Sequence, residues 1–415
     1  MDTAILRQEI QQLQPELFEI YQDLHQHPEP GFEEHRTSAF VARYLQQLGL
    51  QVQTGLAFTG VVATLDSGRP GRTLMLRADM DCLAIGDQSQ LPYASRNEGY
   101  CHACGHDGHT VMLLGAAKIL SSHRDFFRGK IKFVFQPCEE GSLKDSVNQA
   151  LREAGYVGRP GEAGLGGAGF LIQQGVLDGV DACIGLHVDP QTPLGEVTLC
   201  QREACASTDM FIITLQGKGG HGSTPHKAID PVPAMAQLIQ AIHLLPTREV
   251  DAAETVVFHI GDVSTPGSLW SAVADKAVIK GGYRTYSEET RRRLGQRLPE
   301  LAQEIGQAWH CQVDYDHITG YAPTLNDPQL SAQVAKSCAS ALGHAQVHYT
   351  RTPMLTAEDF SEYARLVPSA LLWLGCATRP DYPALHNPRF HLEAPVLPVG
   401  VEIHVQNALD YLNQD

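Results

Sequence analysis

The chain has 415 residues, 43% of them hydrophobic and 19% charged, so it is long enough for two or three domains with apolar cores. Its formal net charge of −16 argues against a nucleic-acid partner, because polyanions are bound mainly through Lys and Arg. No apolar run reaches the roughly 18 residues that a membrane span requires, and the N-terminal residues carry no basic region before an apolar one. We therefore expect a cytoplasmic protein with neither a nucleic-acid nor a membrane partner.

The first 199 residues alternate helical and apolar extended patterns. Residues 3–27 have apolar side chains at helical spacing, with Pro15 predicted to kink or restart the helix. The pattern further predicts strands at 60–65, 73–78, 131–136 and 182–188 and helices at 110–121 and around 146–154. Such alternation is typical of a parallel α/β sheet with right-handed crossovers.

The pattern changes near residue 200. It predicts a strand at 209–216, a helix at 230–245, strands at 255–263 and 272–285, and a helix at 288–309. Asp230 before Pro231 is a typical helix N-cap, and Thr285 with Glu288 matches a capping box. Beyond residue 315 the pattern returns to helix, strand and helix, with a buried strand at 370–374.

These patterns predict two domains. The larger one is discontinuous, 1–199 and 316–415, with a parallel-rich mixed sheet flanked by helices. The smaller one, 200–315, is an inserted α+β unit of βαββα order.

Three predicted strands lead directly into ionisable residues. These residues are Asp79 and Asp81, Glu139 and Glu140, and His187 with Asp189. Because ligands bind at the carboxyl ends of the strands in an open α/β sheet, we expect these side chains to converge. A Glu-Glu pair is usually exposed to solvent, but this one follows a strand that Pro137 ends.

Residues 101–109, CHACGHDGH, offer thiol, imidazole and carboxylate groups just before a helix. These groups bind zinc and its first-row neighbours. The CxxC spacing of Cys101 and Cys104 is a weak signal alone, since the ten cysteines are otherwise scattered, several of them in apolar stretches typical of reduced, buried thiols. Two dications held close together also need an anionic bridge, which Cys104 or Asp107 could supply.

Seven motifs in this order carry a resemblance to a known family. They are RADMDCLAI (77–85), CHACGHDGH (101–109), FQPCEEG (135–141), GLHVDP (185–190), GKGGHGSTPH (217–226), TAEDFSEY (356–363) and LHNPRF (385–390). From about residue 15 to 410 the chain resembles the amidohydrolase branch of the co-catalytic metallopeptidases, which includes hippurate hydrolases, indole-acetyl-amino-acid hydrolases and N-acetyldiaminopimelate deacetylases. The resemblance implies a metal-dependent hydrolase of an N-acyl amino acid or related small amide.

The resemblance also implies a site for two divalent metal ions, with zinc as the first choice and manganese, cobalt or nickel as alternatives. Its ligands would be Cys104, His106, Glu140, His187 and His386. Cys104 would bridge the ions as a thiolate. Glu140 and His386 would complete one coordination sphere, and His106 and His187 the other.

Further roles follow from the same resemblance. Glu139 matches the general base of the family. Asp81 and Asp107 would orient the metal ligands by hydrogen bonds without binding the metal themselves. Residues 200–315 correspond to a lid and dimerisation domain, which implies a homodimer or higher homo-oligomer. From this domain His221 would reach the scissile carbonyl, within one subunit or across a dimer interface.

The chain departs from the family at positions expected to contact substrate. Ser271, in SAVAD, stands where the family usually has Asn, and the 142–172 loop is longer than usual. We hypothesise that both reshape substrate choice without altering the metal chemistry. Arg284 is a candidate partner for a substrate carboxylate, although a surface strand Arg explains it equally well.

Other functions stay open at this point. A dipeptidase or aminopeptidase would use the same metals but needs an acidic partner for a free amino group, whereas an acyl group needs an apolar pocket. A catalytically silent binding protein is disfavoured because Glu139 and all five proposed ligands are retained. A hydride-transfer enzyme is set aside because GKGGHG is not a dinucleotide-binding fingerprint.

Overall fold

The structure is a computed structural model that describes residues 3–141, 166–349 and 352–414. The predicted helix around 146–154 and most of the 142–172 loop lie outside these residues. No described helix combines the length and apolar composition needed to cross a bilayer.

The larger unit contains most of the secondary structure. Its helices are α1 (Thr3–Gln12), α2 (Gln14–His25), α3 (His35–Gln47), α4 (His106–Ser122), α5 (Gly167–Gln173), α8 (Pro328–Leu342), α9 (Ser361–Ala364) and α10 (Val396–Leu412). Its strands are β1 (Gln51–Leu56), β2 (Gly60–Asp66), β3 (Thr73–Asp79), β4 (Lys130–Gln136), β5 (Ala182–Pro193), β6 (Val197–Thr198), β7 (Glu203–Cys205), β14 (Thr324–Leu325), β15 (Val347–His348) and β16 (Ser369–Ala377). The break between α1 and α2 falls two residues before Pro15, so the predicted restart is confirmed.

Eight of these strands form one mixed sheet in the order β1-β2-β4-β3-β5-β16-β6-β15. The four central strands, β4, β3, β5 and β16, run parallel. At one edge β2 pairs antiparallel with β4, and β1 pairs antiparallel with β2. Helices α4 and α10 pack together, and α4 also packs on β3 within the largest apolar core. The predicted parallel-rich sheet flanked by helices is confirmed.

The smaller unit has a four-stranded antiparallel sheet, two helices and a separate pair of short strands. It comprises β8 (Asp209–Gln216), β9 (Gly220–His221), α6 (Pro231–Arg248), β10 (Val256–Ser264), β11 (Ala272–Val273), β12 (Lys276–Thr285), α7 (Glu288–Ala308) and β13 (Gln312–Thr319). The sheet order is β10-β12-β8-β13, and Phe211, Ile213 and Leu215 of β8 point into a core shared with both helices.

Three details of this unit differ from the predictions. The strand predicted at 272–285 is divided into β11, which pairs with β9, and β12, which pairs with β8. Strand β13 runs across the predicted boundary between 315 and 316, so the second sheet ends at Thr319. The predicted capping box of Thr285 and Glu288 is wrong, because Ser287 caps α7 and accepts a hydrogen bond from the backbone of Thr290. The predicted N-cap Asp230 is confirmed, and its side chain accepts from the backbone of Val232 at 3.0 Å.

Candidate active site

The carboxyl ends of β3, β4 and β5 bring together the ionisable residues that follow or end these strands. Asp79 ends β3, Glu139 and Glu140 follow β4, and His187 lies within β5. The segment 101–105 delivers Cys104 beside them and continues into α4 at His106. Asp189, the remaining expected member, belongs to no group of potential metal ligands among the described residues, and it accepts from the backbone of Gln191 and the hydroxyl of Thr192.

Two groups of three potential ligand atoms share Cys104. One group is Cys104, His106 and His187, and the other is Cys104, Glu140 and His386. Within each group the ligand atoms lie within 4.8 Å of one another. The arrangement therefore offers two adjacent positions for a metal ion with the thiol between them.

Two of these histidines each have one nitrogen engaged and the other directed into the site. Nδ1 of His106 lies 3.1 Å from Oδ1 of Asp81, and Nδ1 of His187 lies 2.7 Å from the carbonyl of Val188. Both acceptors favour a proton on Nδ1, so Nε2 is the nitrogen that would bind a metal, in the place of a second proton. Nε2 of His187 lies 3.5 Å from Sγ of Cys104, and the buried Nε2 of His106 has no hydrogen-bond partner among the described residues.

His109 is close to these rings but has no nitrogen left for a metal. Its Nδ1 lies 2.6 Å from Oδ1 of Asp79, and its Nε2 accepts from the backbone N–H of Val188 at 3.0 Å. The grouping of Asp79, His106 and His109 is therefore not a third metal position, although its atoms are close enough. His109 instead fastens β3 to β5 next to His187.

His386 completes the second group from a strained backbone. Its φ is 64°, and its backbone N–H donates to the carbonyl of Ala103, which ties it to the segment that carries Cys104. Its Nε2 lies 3.2 Å from Oε1 of Glu140, and half of its side chain is exposed. A non-glycine residue in the left-handed region persists only where its surroundings hold it there, which is common at functional sites.

The turn before α4 depends on glycine. Gly105 has a φ of 86°, and a Cβ at this position would lie 2.6 Å from Cγ2 of Val188. Only glycine therefore lets the turn bring Cys104 and His106 against β5.

The electrostatics of the group favour a bound cation. Burial lowers the pKa of His106, but Asp79 and Asp81 outweigh that effect and raise it to about 10. Burial, with Glu140 and Glu139, raises the pKa of the Cys104 thiol well above its usual value. Without added positive charge the thiol stays protonated, so a thiolate here requires a metal or an equivalent cation.

Glu139 is buried next to a network that the sequence analysis did not assign. Burial, Glu358, Glu140 and Asp359 raise its pKa well above the ordinary value, and Arg77 opposes them. The buried Arg77 donates to Asp79, Glu358 and Asp359 at 2.6 to 2.9 Å. An Arg inside an apolar strand, together with the acids of TAEDF, was the available signal for this network.

His221 is apart from the metal-ligand groups. It is exposed on β9, and the backbone N–H of Ser223 donates to its Nδ1 at 3.1 Å, which leaves Nε2–H as a donor. Its cross-strand partner in β11 is Ala272, directly after Ser271. The described residues thus bring His221 beside Ser271, but not to the metal-ligand groups of the same chain.

Arg284 lies on β12 and is partly buried. Its guanidinium donates to the carbonyl of Leu355 at 3.0 Å and has no carboxylate partner among the described residues. Most of its donors are therefore available to a ligand.

Comparison with known proteins identifies the family. The model of peptidase family M20/M25/M40 matches residues 75–410. The chain is 33% identical to an N-acetyl-L-cysteine deacetylase of Bacillus subtilis, with 92% of this chain and 84% of the relative covered. It is 30% identical to thermostable carboxypeptidase 1 of Saccharolobus solfataricus, over 99% of this chain and 98% of the relative.

A solved structure supports the same assignment. The YXEP protein of Bacillus subtilis, described as a dinuclear metal binding peptidase of the M20 family, superimposes with a TM-score of 0.80 at 28% identity, covering 97% of this chain and 99% of that one. The chain therefore belongs to peptidase family M20/M25/M40 and is a metal-dependent hydrolase of amide bonds.

Proposed function

We propose that this protein hydrolyses the amide bond of an N-acyl amino acid, with Glu139 as general base and Cys104, His106, Glu140, His187 and His386 as ligands of two metal ions. The observation that carries the proposal is the pair of three-residue groups that share Cys104 beside the buried Glu139. We propose zinc as the native metal, because thiolate, imidazole and carboxylate together suit it best.

The two ions, when bound, would lower the pKa of an attacking water and polarise the substrate carbonyl. Glu139 would take a proton from that water and return it to the departing amine nitrogen. Asp81 would hold His106 and Glu140 together, since its carboxylate also accepts from the backbone N–H of Glu140 at 3.0 Å. His221 would donate from Nε2 to the developing oxyanion.

We propose that Arg284 binds the carboxylate of the amino-acid half of the substrate. Its guanidinium has donors to spare and can engage a carboxylate with two parallel hydrogen bonds. This assignment covers both an acyl amino acid and the carboxyl end of a peptide, so a peptidase remains the second candidate.

The acidic residues near Glu139, where the acyl or amino end of the substrate would lie, favour a deacylase over an aminopeptidase or dipeptidase. A free amino group would need an unpaired acid near Glu139, but Glu358 and Asp359 both already accept hydrogen bonds from Arg77. If either acid bound a substrate ammonium group instead, the buried guanidinium of Arg77 would lose part of its balancing negative charge. An incompletely paired buried charge destabilises the fold.

We further propose that the unit 209–319 acts as a lid and that the protein is a homodimer in which His221 serves the partner's site. His221 is exposed and apart from the metal-ligand groups of its own chain, and Trp270, which precedes Ser271 in the chain, is fully exposed at 102%. Strand β10 also lies at an edge of its sheet, where a second copy can pair with it. The ten free, buried cysteines fit the cytoplasmic location that we also propose.

The test is to strip the protein with a chelator, restore zinc, manganese, cobalt or nickel separately, and assay acyl amino acids beside dipeptides. We expect metal-dependent hydrolysis of acyl amino acids, and we expect Glu139→Gln to bind two ions while losing at least about 1,000-fold in kcat. Hydrolysis that survives metal removal, or a preference for dipeptides with a free amino group, would overturn the proposal.

A further inference from the structure

The lid is joined to the rest of the chain by two connectors that lie side by side. The pairing of β8 with β13 continues beyond Asp209 and Thr319, because the backbone N–H of Thr208 donates to the carbonyl of Tyr321 at 3.0 Å. The connector that leaves the larger unit and the one that returns to it are therefore held together.

The two connectors are firmly attached to the lid. Arg291 of α7 is buried and binds both carboxylate oxygens of Asp209, and it also donates to the carbonyl of Gly320 at 2.7 Å. A Cβ on Gly320 would lie 2.1 Å from the carbonyl oxygen of Thr208, so the close approach of the connectors requires glycine. Residues 319–321 thus follow the lid whenever it moves.

The returning connector also contacts the active site. The hydroxyl of Tyr321 donates to the backbone carbonyl of Glu139 at 2.6 Å, across 182 positions of sequence. Burial raises the pKa of the Tyr321 phenol, so the hydroxyl keeps its proton and remains a donor. The side chain of Glu139 has a separate, weaker contact, in which its Oε1 accepts from the backbone N–H of Asp359 at 3.4 Å.

We propose that Tyr321 is a positioning residue that couples the lid to Glu139, its hydroxyl fixing the backbone of the general base when the lid is in the position seen here. A lid rotation must either carry the tyrosine ring along or break this hydrogen bond. The backbone of Glu139 is therefore fixed by this hydrogen bond only when the lid is in the position described here. This inference rests on the role proposed above for Glu139.

The chain offers a matched control. Tyr286 is also partly buried, and its hydroxyl donates to the backbone carbonyl of Pro353 at 3.0 Å, again between the lid and the larger unit. Tyr286→Phe removes the same atom from the same kind of contact but leaves Glu139 untouched. Comparison of Tyr321→Phe with Tyr286→Phe therefore separates a general loss of lid attachment from a specific effect on the base.

Two measurements test the proposal. We expect Tyr321→Phe to lower kcat about tenfold with KM within about twofold and with two metal ions still bound, whereas Tyr286→Phe keeps kcat within about twofold of wild type. We also expect faster hydrogen exchange at the amides of residues 138–141 in Tyr321→Phe only, because the carbonyl of Glu139 loses its donor.

Equal kcat values and equal exchange in the two variants would refute the coupling. A loss of metal from Tyr321→Phe would refute it as well, since the contact would then support the metal site. The exchange measurement needs no substrate, so it judges the coupling even if the wild-type protein hydrolyses no acyl amino acid. That last result would contradict the proposed function alone.

Discussion

Oδ1 of Asp81 lies 3.1 Å from Nδ1 of His106, while the other oxygen of the same carboxylate accepts the backbone N–H of Glu140. One buried side chain thus orients two proposed ligands that belong to different metal positions. Replacing either oxygen with an amide NH₂ would place two donors against each other.

We therefore predict that Asp81→Asn weakens metal binding by about 10- to 100-fold, the usual cost of losing such a supporting contact. Titration with zinc in competition with a chromogenic chelator measures the change. Asp189→Asn is the control, because Asp189 is equally buried and also accepts hydrogen bonds, from Gln191 and Thr192, but belongs to neither metal-ligand group. Equal losses in both variants would mean that any buried charge in this region affects the metals.

The two cysteines of the CxxC pair should behave differently. Cys104 belongs to both ligand groups, whereas Cys101 belongs to neither and pairs through its backbone with Leu83. We predict that Cys104→Ala binds at most one ion and loses hydrolysis, while Cys101→Ala keeps two ions and its activity. Metal analysis after gel filtration is the measurement, and retention of two ions by Cys104→Ala would exclude a thiolate bridge.

The sequence predicted the central strands and the convergence of ligands because both depend on local patterns. Apolar runs mark β3, β4 and β5, and the ionisable residues at their ends meet wherever such strands run parallel. The family resemblance added His386, which local patterns alone did not single out. These parts of the site needed no knowledge of distant contacts.

Other parts depend on contacts that sequence patterns do not reveal. Arg77 meets Glu358 across 281 positions, and the role of His109 depends on which acceptors its two nitrogens meet. Strand β13 was not predicted, because polar residues such as Asp314 and Asp316 alternate with its inward side chains, and pairing with β8 makes it a strand. Tertiary pairing decided each of these cases.

Mixing two inactive variants tests whether His221 acts across a dimer. If it does, Glu139→Gln and His221→Ala subunits should together recover about one quarter of the wild-type rate, because random pairing makes half of the dimers mixed and each mixed dimer has one intact site. Action within one chain predicts no recovery. Exchange of subunits is confirmed separately by mass spectrometry with one variant isotope-labelled.

A buried histidine away from the site should make the fold sensitive to acid. His404 on α10 is buried, and this burial is the main cause that lowers its pKa from 6.5 to about 3. Below pH 6.5 His404 is protonated in the unfolded chain, whereas in the folded chain it stays neutral until about pH 3. The free energy of unfolding therefore decreases as the pH falls from 6.5 towards 3.

We predict that the wild-type free energy of unfolding falls by about 1 kcal/mol more than that of His404→Gln between pH 6.5 and 5.5. Urea unfolding of both proteins at each pH gives the difference. An equal decrease in the free energy of unfolding of the two proteins would show that His404 is not the acid-sensitive group, whatever the stability of the variant at pH 7.

Ser271 stands next to His221 in space, because Ala272 pairs with His221 and the carbonyl of Ser271 lies 2.6 Å from where a Cβ on Gly222 would sit. A longer amide side chain at this position would reach further toward a substrate held by His221.

We predict that Ser271→Asn changes the relative kcat/KM values over a panel of acyl amino acids by about tenfold, since a single new hydrogen bond is worth about that factor. The metal content should stay at two ions. Ser268→Asn is the control, because within the described residues its hydroxyl bonds to Thr265 of the same loop and not to His221. An unchanged ranking in Ser271→Asn would mean that specificity is set elsewhere.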